Sequence, residues 1–184
     1  MKILFLGDVV GISGCSQITN NLRSEIEKKK IDFVIVNGEN SAEPGVGLTE
    51  ETCKDFFNCG VNVITSGNHV WDQKEIMNYI DNENRLLRPY NLFEPSPGKG
   101  FEVYETPNSL KIGVLNLMGN VFMKKCDDVF ETSKKFLKKY KLKEDYDLLI
   151  VDFHGEITSE KNAIGHFFDG KATLVIGTHT HNQS

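Results

Sequence analysis

The chain has 184 residues, a net charge of -5, 39% hydrophobic and 26% charged residues. That length supports one domain, spanning residues 1–184, with a core that hides roughly 70% of the surface of the unfolded chain, and the near-average composition excludes a disordered or fibrous chain. The mildly acidic balance excludes a broad face for stable duplex nucleic acid, which needs clustered Lys and Arg; it permits a small phosphorylated ligand where positive charge is supplied locally.

Short apolar runs alternate with helical patterns. Ile3–Leu6 reads as a buried strand, too short for a secretory apolar region and met at once by Asp8. Cys15, Ile18, Leu22 and Ile26 fall at helical spacing and predict a helix to about Lys30, with a lysine-rich last turn that suits the helix dipole. Phe33–Val36 is a second buried strand. Thr49–Cys59 reads as a helix with Glu50 and Glu51 in its first turn and Gly60 behind its end. Val61–Thr65 is a third strand, and the Asp72-x-x-Glu75 pattern predicts a helix reaching about Ile80.

The middle changes character. Pro89, Pro95, Pro97, Gly98 and Gly100 mark a loop, and Phe101–Tyr104 with Lys111–Leu117 predict a hairpin about Pro107-Asn108-Ser109. A helix from about Asp128 to Tyr140 follows. Leu148–Phe153 and Ala172–Ile176 read as two more buried strands. The β-α-β-α-β start implies an α/β fold with a parallel sheet covered by helices; the hairpin implies a second or mixed sheet.

Two features read as ordinary. The four cysteines, Cys15, Cys53, Cys59 and Cys126, form no C-x-x-C pair, which fits reduced thiols in a cytoplasmic protein. Lys134–Lys143 carries six lysines in ten residues; with Phe136, Leu137 and Tyr140 turned inward, it reads as a solvated helix face rather than an RNA patch. No apolar run has the ~20 residues of a membrane span.

The chemistry gathers at strand ends, where open α/β sheets bind ligands. Strand one ends in Gly7-Asp8, strand two in Asn37-Gly38-Glu39-Asn40, strand three in Ser66-Gly67-Asn68-His69, the sixth in Asp152-Phe153-His154-Gly155-Glu156, and the last in Gly177-Thr178-His179-Thr180-His181. Each alone is weak: an Asp after a strand often caps a turn, and Asn-Gly is a turn signal. His166 is set aside as a surface or core residue. In an extended Thr-His-Thr-His segment, alternation puts both imidazoles on one side. Carboxylate, amide oxygen and imidazole without thiolate select iron, manganese or zinc. There are too many ligands for one tetrahedral zinc, and two ions sharing a carboxylate account for them. Two such cations also supply the local positive charge a phosphate needs.

Taken in order, Gly7-Asp8, Asn37-Gly38-Glu39-Asn40, Gly67-Asn68-His69, His154 and Gly177-Thr178-His179-Thr180-His181 resemble the motifs of calcineurin-like metallophosphoesterases. The wording Lys2-Ile3-Leu4-Phe5-Leu6-Gly7-Asp8-Val9-Val10-Gly11, Gly67-Asn68-His69-Val70-Trp71-Asp72 and Asp152-Phe153-His154-Gly155-Glu156 is similar to the YmdB-like phosphodiesterases, as are Arg88-Pro89 with Asn91 and Pro97-Gly98-Lys99-Gly100. The resemblance implies a four-layer α-β-β-α sandwich and a two-metal site, often iron, acting on cyclic nucleotides such as 2′,3′-cyclic AMP. Carried over by motif, Glu39 bridges the metals. Asp8, Asn40 and His181 complete one site, and Asn68, His154 and His179 the other. His69 is the general acid, protonating the leaving oxygen as metal-bound hydroxide attacks phosphorus.

The sequence departs from the wider superfamily in lacking the usual Asp-x-His, since Val9 and Val10 follow Asp8, and in carrying Glu39-Asn40 at the bridge; both match the YmdB-like branch. Members continue past the Thr-His-Thr-His segment, so the second sheet is expected to be incomplete here and His179 and His181 less firmly held. Two alternatives stay open: a phosphomonoesterase or nucleotidase with the same metal clamp, and a weakly active regulatory protein that binds nucleotide or metal, either of them compatible with a homo-oligomer. A dinucleotide-binding domain is excluded, because Gly7, Gly11 and Gly14 lack the Gly-x-Gly-x-x-Gly spacing.

Overall fold

The computed structural model describes residues 1–182. Twelve elements follow one another along these residues: β1 (Ile3–Leu6), α1 (Gly11–Lys29), β2 (Phe33–Asn37), α2 (Glu50–Asn58), β3 (Val63–Thr65), α3 (Ile76–Ile80), β4 (Phe101–Glu105), β5 (Lys111–Met118), α4 (Val129–Lys139), β6 (Leu148–His154), α5 (Thr158–Phe168) and β7 (Leu174–Thr178).

They form a mixed α/β fold with two sheets. β1, β2 and β3 make a parallel three-stranded sheet; β4-β5-β6-β7 make a second, in which β4 is antiparallel to β5 and the rest run parallel. Alternation along β2 sets the layering. Phe33 and Ile35 point to one face, where they pack with Val63 and with Ile112, Val114 and Ile150 of the second sheet. Val34 and Val36 point to the other, where Ile18 and Leu22 of α1 and Phe56 of α2 cover them. Leu115, Val151 and Phe153 of the second sheet pack against Phe136 of α4 and against Ile164 and Phe168 of α5. A strand buried on both faces must be apolar at every position, which is why β2 reads Phe-Val-Ile-Val without alternation.

Most predicted elements are present, with instructive differences. In α2 the Thr49 hydroxyl accepts from the Thr52 amide at 3.1 Å, the cap its sequence announces. Asp72 caps nothing: its carboxylate turns to His69 and Lys124, so the expected helix shrinks to Ile76–Ile80. Helix α5 has no counterpart in the sequence reading, because its apolar face rests on few residues, chiefly Ile164 and Phe168. β7 begins two residues later than expected and is half-exposed rather than buried, since it ends the strand order and Leu174 stays open. The lysine-rich helix α4 buries Phe136 and keeps its lysines in solvent. All four thiols are free. Among the described residues no helix is long and apolar enough to cross a membrane.

Candidate metal centre

Five strand ends meet at the C-terminal rims of the two sheets, which bring together Asp8, Glu39, Asn40, Asn68, His154, His179 and His181. Glu39 and His154 are wholly buried, and Nε2 of His154 is the focus of the cluster. Glu39 Oε2 lies 2.5 Å from it, His179 Nδ1 3.1 Å and Asn68 Oδ1 3.2 Å. Gly67 makes this packing possible, because a Cβ there would overlap the His154 ring.

Hydrogen bonds decide what those atoms can do. His154 Nδ1 is 3.0 Å from the Thr178 hydroxyl, and His179 Nε2 is 2.8 Å from Glu156 Oε2. A neutral ring that spends its N–H on the outer partner turns its other nitrogen inward as a lone pair. Asn68 contributes a carbonyl oxygen, and Glu39 Oε2 is buried 2.5 Å from His154 Nε2. Two oxygens and two imidazole nitrogens facing one another form a donor set that suits a cation once the rings are neutral. Ligand atoms of Glu39, His154 and His179 all lie within 4.8 Å of one another. The other carboxylate oxygen, Glu39 Oε1, accepts from the His69 amide at 2.7 Å.

A second, looser group adjoins the first. His181 Nε2 is 3.3 Å from both Asp8 Oδ2 and Asn40 Nδ2, and Asp8 Oδ2 accepts from the His179 amide at 2.9 Å. The two imidazoles do not reach these places by strand alternation, as expected from the sequence. β7 ends at Thr178, and both His179 (φ 94°) and His181 (φ 54°) take left-handed backbone. The turn sends His179 toward His154 and His181 toward Asp8.

The electrostatics follow from burying so many ionisable groups. Burial works against charge on His154, but Glu39, then Asp8 and Asp152, outweigh it and raise its pKa. Burial also opposes ionisation of Glu39; the contact with His154 and the His69 amide outweigh it and lower the pKa. Asp8 is raised, chiefly by burial, and His179 is lowered by burial and by His154.

His69 stands just outside the cluster. Its Nδ1 lies 2.6 Å from Asp72 Oδ2, and Lys124 Nζ lies 3.1 Å from the other Asp72 oxygen. A groove of about 850 Å³ opens beside Asp8, His179 and His181, with Lys161 and the exposed His166 of α5 in its wall. The sequence reading gave no site role to Asp72, which orients His69, or to Glu156, Thr178 and Asp152, which surround the candidate ligands. Their one visible signal was polarity at a strand end, shared with every turn residue nearby.

The chain is 42% identical over 184 residues to the 2′,3′-cyclic-nucleotide 2′-phosphodiesterase of Bacillus subtilis (strain 168), covering all of this chain and 68% of that protein. Among solved structures, a protein of Thermus thermophilus described as hypothetical superposes with a TM-score of 0.90 at 35% identity, over all of this chain and 69% of its own. A novel phosphatase from Mycoplasma pneumoniae superposes with a TM-score of 0.89 at 42% identity, over all of this chain and 66% of its own. The chain therefore spans about two thirds of the length of these relatives. The model of the YmdB-like protein family matches residues 4–184, and the chain belongs to that family.

Proposed function

We propose that the chain is a metal-dependent phosphoric ester hydrolase that cleaves small phosphodiesters, cyclic nucleotides such as 2′,3′-cyclic AMP among them. One observation carries the reading: Glu39 Oε2, Asn68 Oδ1 and His179 Nδ1 converge on the buried Nε2 of His154. The name of the Bacillus subtilis relative supports the substrate class.

In this reading Glu39 would serve both of two ions. Asn68, His154 and His179 would hold one; Asp8, Asn40 and His181 would hold the other, Asn40 through its amide oxygen after a half-turn of the amide. The donor set suits iron or manganese, with zinc also compatible. Such ions, when bound, activate water and neutralise charge on phosphoryl oxygens. The chain's own part is to set the geometry and deliver a proton. Asp72 accepts the Nδ1–H of the His69 imidazolium and fixes the ring, so the Nε2–H can pass to the departing ribose oxygen and leave a neutral ring that still holds its hydrogen on Nδ1. The groove beside Asp8 and His181 gives a small substrate access.

We also read the chain as one domain, since the two sheets share a core, and as a four-layer α-β-β-α sandwich, since helices cover the outer faces. The test of the function is metal analysis coupled to a phosphodiester panel containing 2′,3′- and 3′,5′-cyclic nucleotides. Metal-replete protein that hydrolyses none of them refutes it. A phosphomonoesterase is the second reading, favoured by the description of the Mycoplasma pneumoniae structure as a phosphatase; a bis-aryl against a mono-aryl phosphate separates the two.

A further inference from the structure

Asp152 touches none of the candidate ligands' metal-facing atoms, yet it is completely buried at the meeting point of both sheets. Its Oδ1 accepts from the Thr178 hydroxyl at 2.7 Å. Its Oδ2 accepts from the Thr65 hydroxyl at 2.5 Å and from Asn37 Nδ2 at 2.9 Å. Thr65 and Asn37 end strands of the first sheet, while Asp152 and Thr178 lie in the second. Asn37 in turn accepts the Glu39 amide on its Oδ1 at 3.2 Å. Three donors on one buried carboxylate therefore connect the turn carrying Glu39 to the strands carrying His154 and His179.

The direction of these bonds matters more than their number. A hydroxyl has one proton. If Thr178 gives its proton to Asp152, its oxygen can only accept from His154 Nδ1, 3.0 Å away. His154 then keeps its hydrogen on Nδ1, and in the neutral ring Nε2 is the lone pair that faces Glu39, Asn68 and His179. We infer that Asp152 is a positioning residue that acts through Thr178 to fix the tautomer of His154, preparing Nε2 as a ligand before any ion arrives. The inference rests on the metal-centre reading above.

Replacing the carboxylate by its amide should reverse the chain of bonds. In Asp152→Asn the carbonyl oxygen serves the two donors Thr65 and Asn37, so the amide nitrogen faces Thr178 and donates to it. Thr178 then donates to His154 Nδ1, and the ring proton moves to Nε2, where it blocks the site. Thr178→Val removes the relay but leaves the bonds of Asp152 to Thr65 and Asn37. Thr178→Ser keeps it.

The experiment measures Mn²⁺ affinity by chelator competition in the full chain, together with ¹⁵N imidazole shifts of the metal-free protein at a pH where His154 is neutral, its signal assigned with His154→Gln. Asp152→Asn and Thr178→Val should each weaken Mn²⁺ binding roughly 10- to 100-fold, Thr178→Ser by no more than about threefold, and the double variant by no more than the weaker-binding single variant. The spectrum should show an Nδ1–H ring in the parent and an Nε2–H ring in Asp152→Asn. Unchanged Mn²⁺ affinity in Thr178→Val, or an Nε2–H ring already present in the parent, overturns the inference, and a drop in Tm alone for Asp152→Asn would leave Asp152 a purely structural residue. Should Asp152→Asn fail to fold, the Thr178 pair decides. Parent protein that binds no Mn²⁺ overturns the metal-centre reading along with it; binding that the variants leave intact overturns this inference only.

Discussion

His69 and Asp72 are joined by a 2.6 Å contact between Nδ1 and Oδ2, and the same carboxylate meets Lys124 on its other oxygen. Burial is the largest single influence on Asp72 and raises its pKa, but the His69 and Lys124 contacts together outweigh it and hold it below the usual carboxylate range. The pair aims the Nε2 of His69 without tying it to the buried cluster. His69→Ala should therefore retain its metal content while losing on the order of 10²- to 10⁴-fold in rate on a cyclic nucleotide, whose ribose leaving group needs a proton. An aryl phosphodiester, with a good leaving group, should lose far less. Asp72→Asn should fall between parent and His69→Ala. Equal rates of His69→Ala and parent on the cyclic nucleotide would remove His69 from the reaction.

Glu39 differs in kind, because the proposed centre has it serve both groups of candidate ligands. Glu39→Gln and Asp8→Asn should strip metal, as read by elemental analysis. The loss should also appear as stability. A ligand at 100 times its Kd stabilises a fold by about 2.7 kcal/mol, so Mn²⁺ should raise the Tm of the parent by several degrees and leave Glu39→Gln where it was. A Glu39→Gln protein that still responds to Mn²⁺ would assign the ion to another place.

The pH dependence follows from the buried charges, and its sign differs between the metal-free and metal-loaded forms. His154 has a raised pKa, so its contribution is complete below its ordinary 6.5 and is lost as pH rises through the folded-state value. Asp152 is pushed up by burial from 3.8 to about 6, and Asp8 is also raised. An acid raised in the folded state favours the fold at low pH, so these two act in the same direction. Glu39, being lowered, contributes above 4.5 and loses that only in stronger acid. Chelator-treated protein should thus be less stable near pH 8 than near pH 5.5. Metal competes with the proton that His154 Nε2 carries when the ring is charged, so the Mn²⁺-induced rise in Tm should be larger at about pH 8 than at about pH 5.5. Thermal unfolding at the two pH values, with and without Mn²⁺, checks both signs; a metal effect equal at the two would argue that His154 is not a ligand.

These charges were only partly visible in the sequence. The strands were legible because β2 and β6, buried on both faces, are apolar runs bounded by turn residues, and Glu39 and His154 stood out where those runs ended, as Asp8 did beyond β1. Helix α5 was not, since its interior side is carried by a few residues among Glu160, Lys161, Asn162 and His166. Glu160 is nearly buried because its carboxylate accepts the Asn120 and Val121 amides, a long-range partnership with no local pattern. The sites of His179 and His181 were foreseen in identity but not in path, because left-handed backbone at two histidines has no sequence signature. Asp72 was misread for a related reason: a carboxylate three residues before Glu75 looks like a helix cap until a histidine at position 69 competes for it.

Gly67 offers a test of the centre that removes no ligand. It lies where the third strand's extension passes the His154 ring, and a methyl group there would overlap ring atoms rather than the end of a flexible chain. The ring cannot retreat, because Nδ1 is tied to Thr178 and the surroundings are closely packed. In Gly67→Ala either His154 tilts, which breaks the convergence of Nε2 with Glu39 and Asn68, or the 66–69 turn shifts and carries Asn68 and His69 with it. Both outcomes should cost about 1–3 kcal/mol of stability, the usual penalty of overpacking, and should lower metal content together with activity. Urea unfolding monitored by circular dichroism, with elemental analysis of the same sample, checks this. A Gly67→Ala protein with full metal content and parental stability would contradict the close packing of residue 67 against His154.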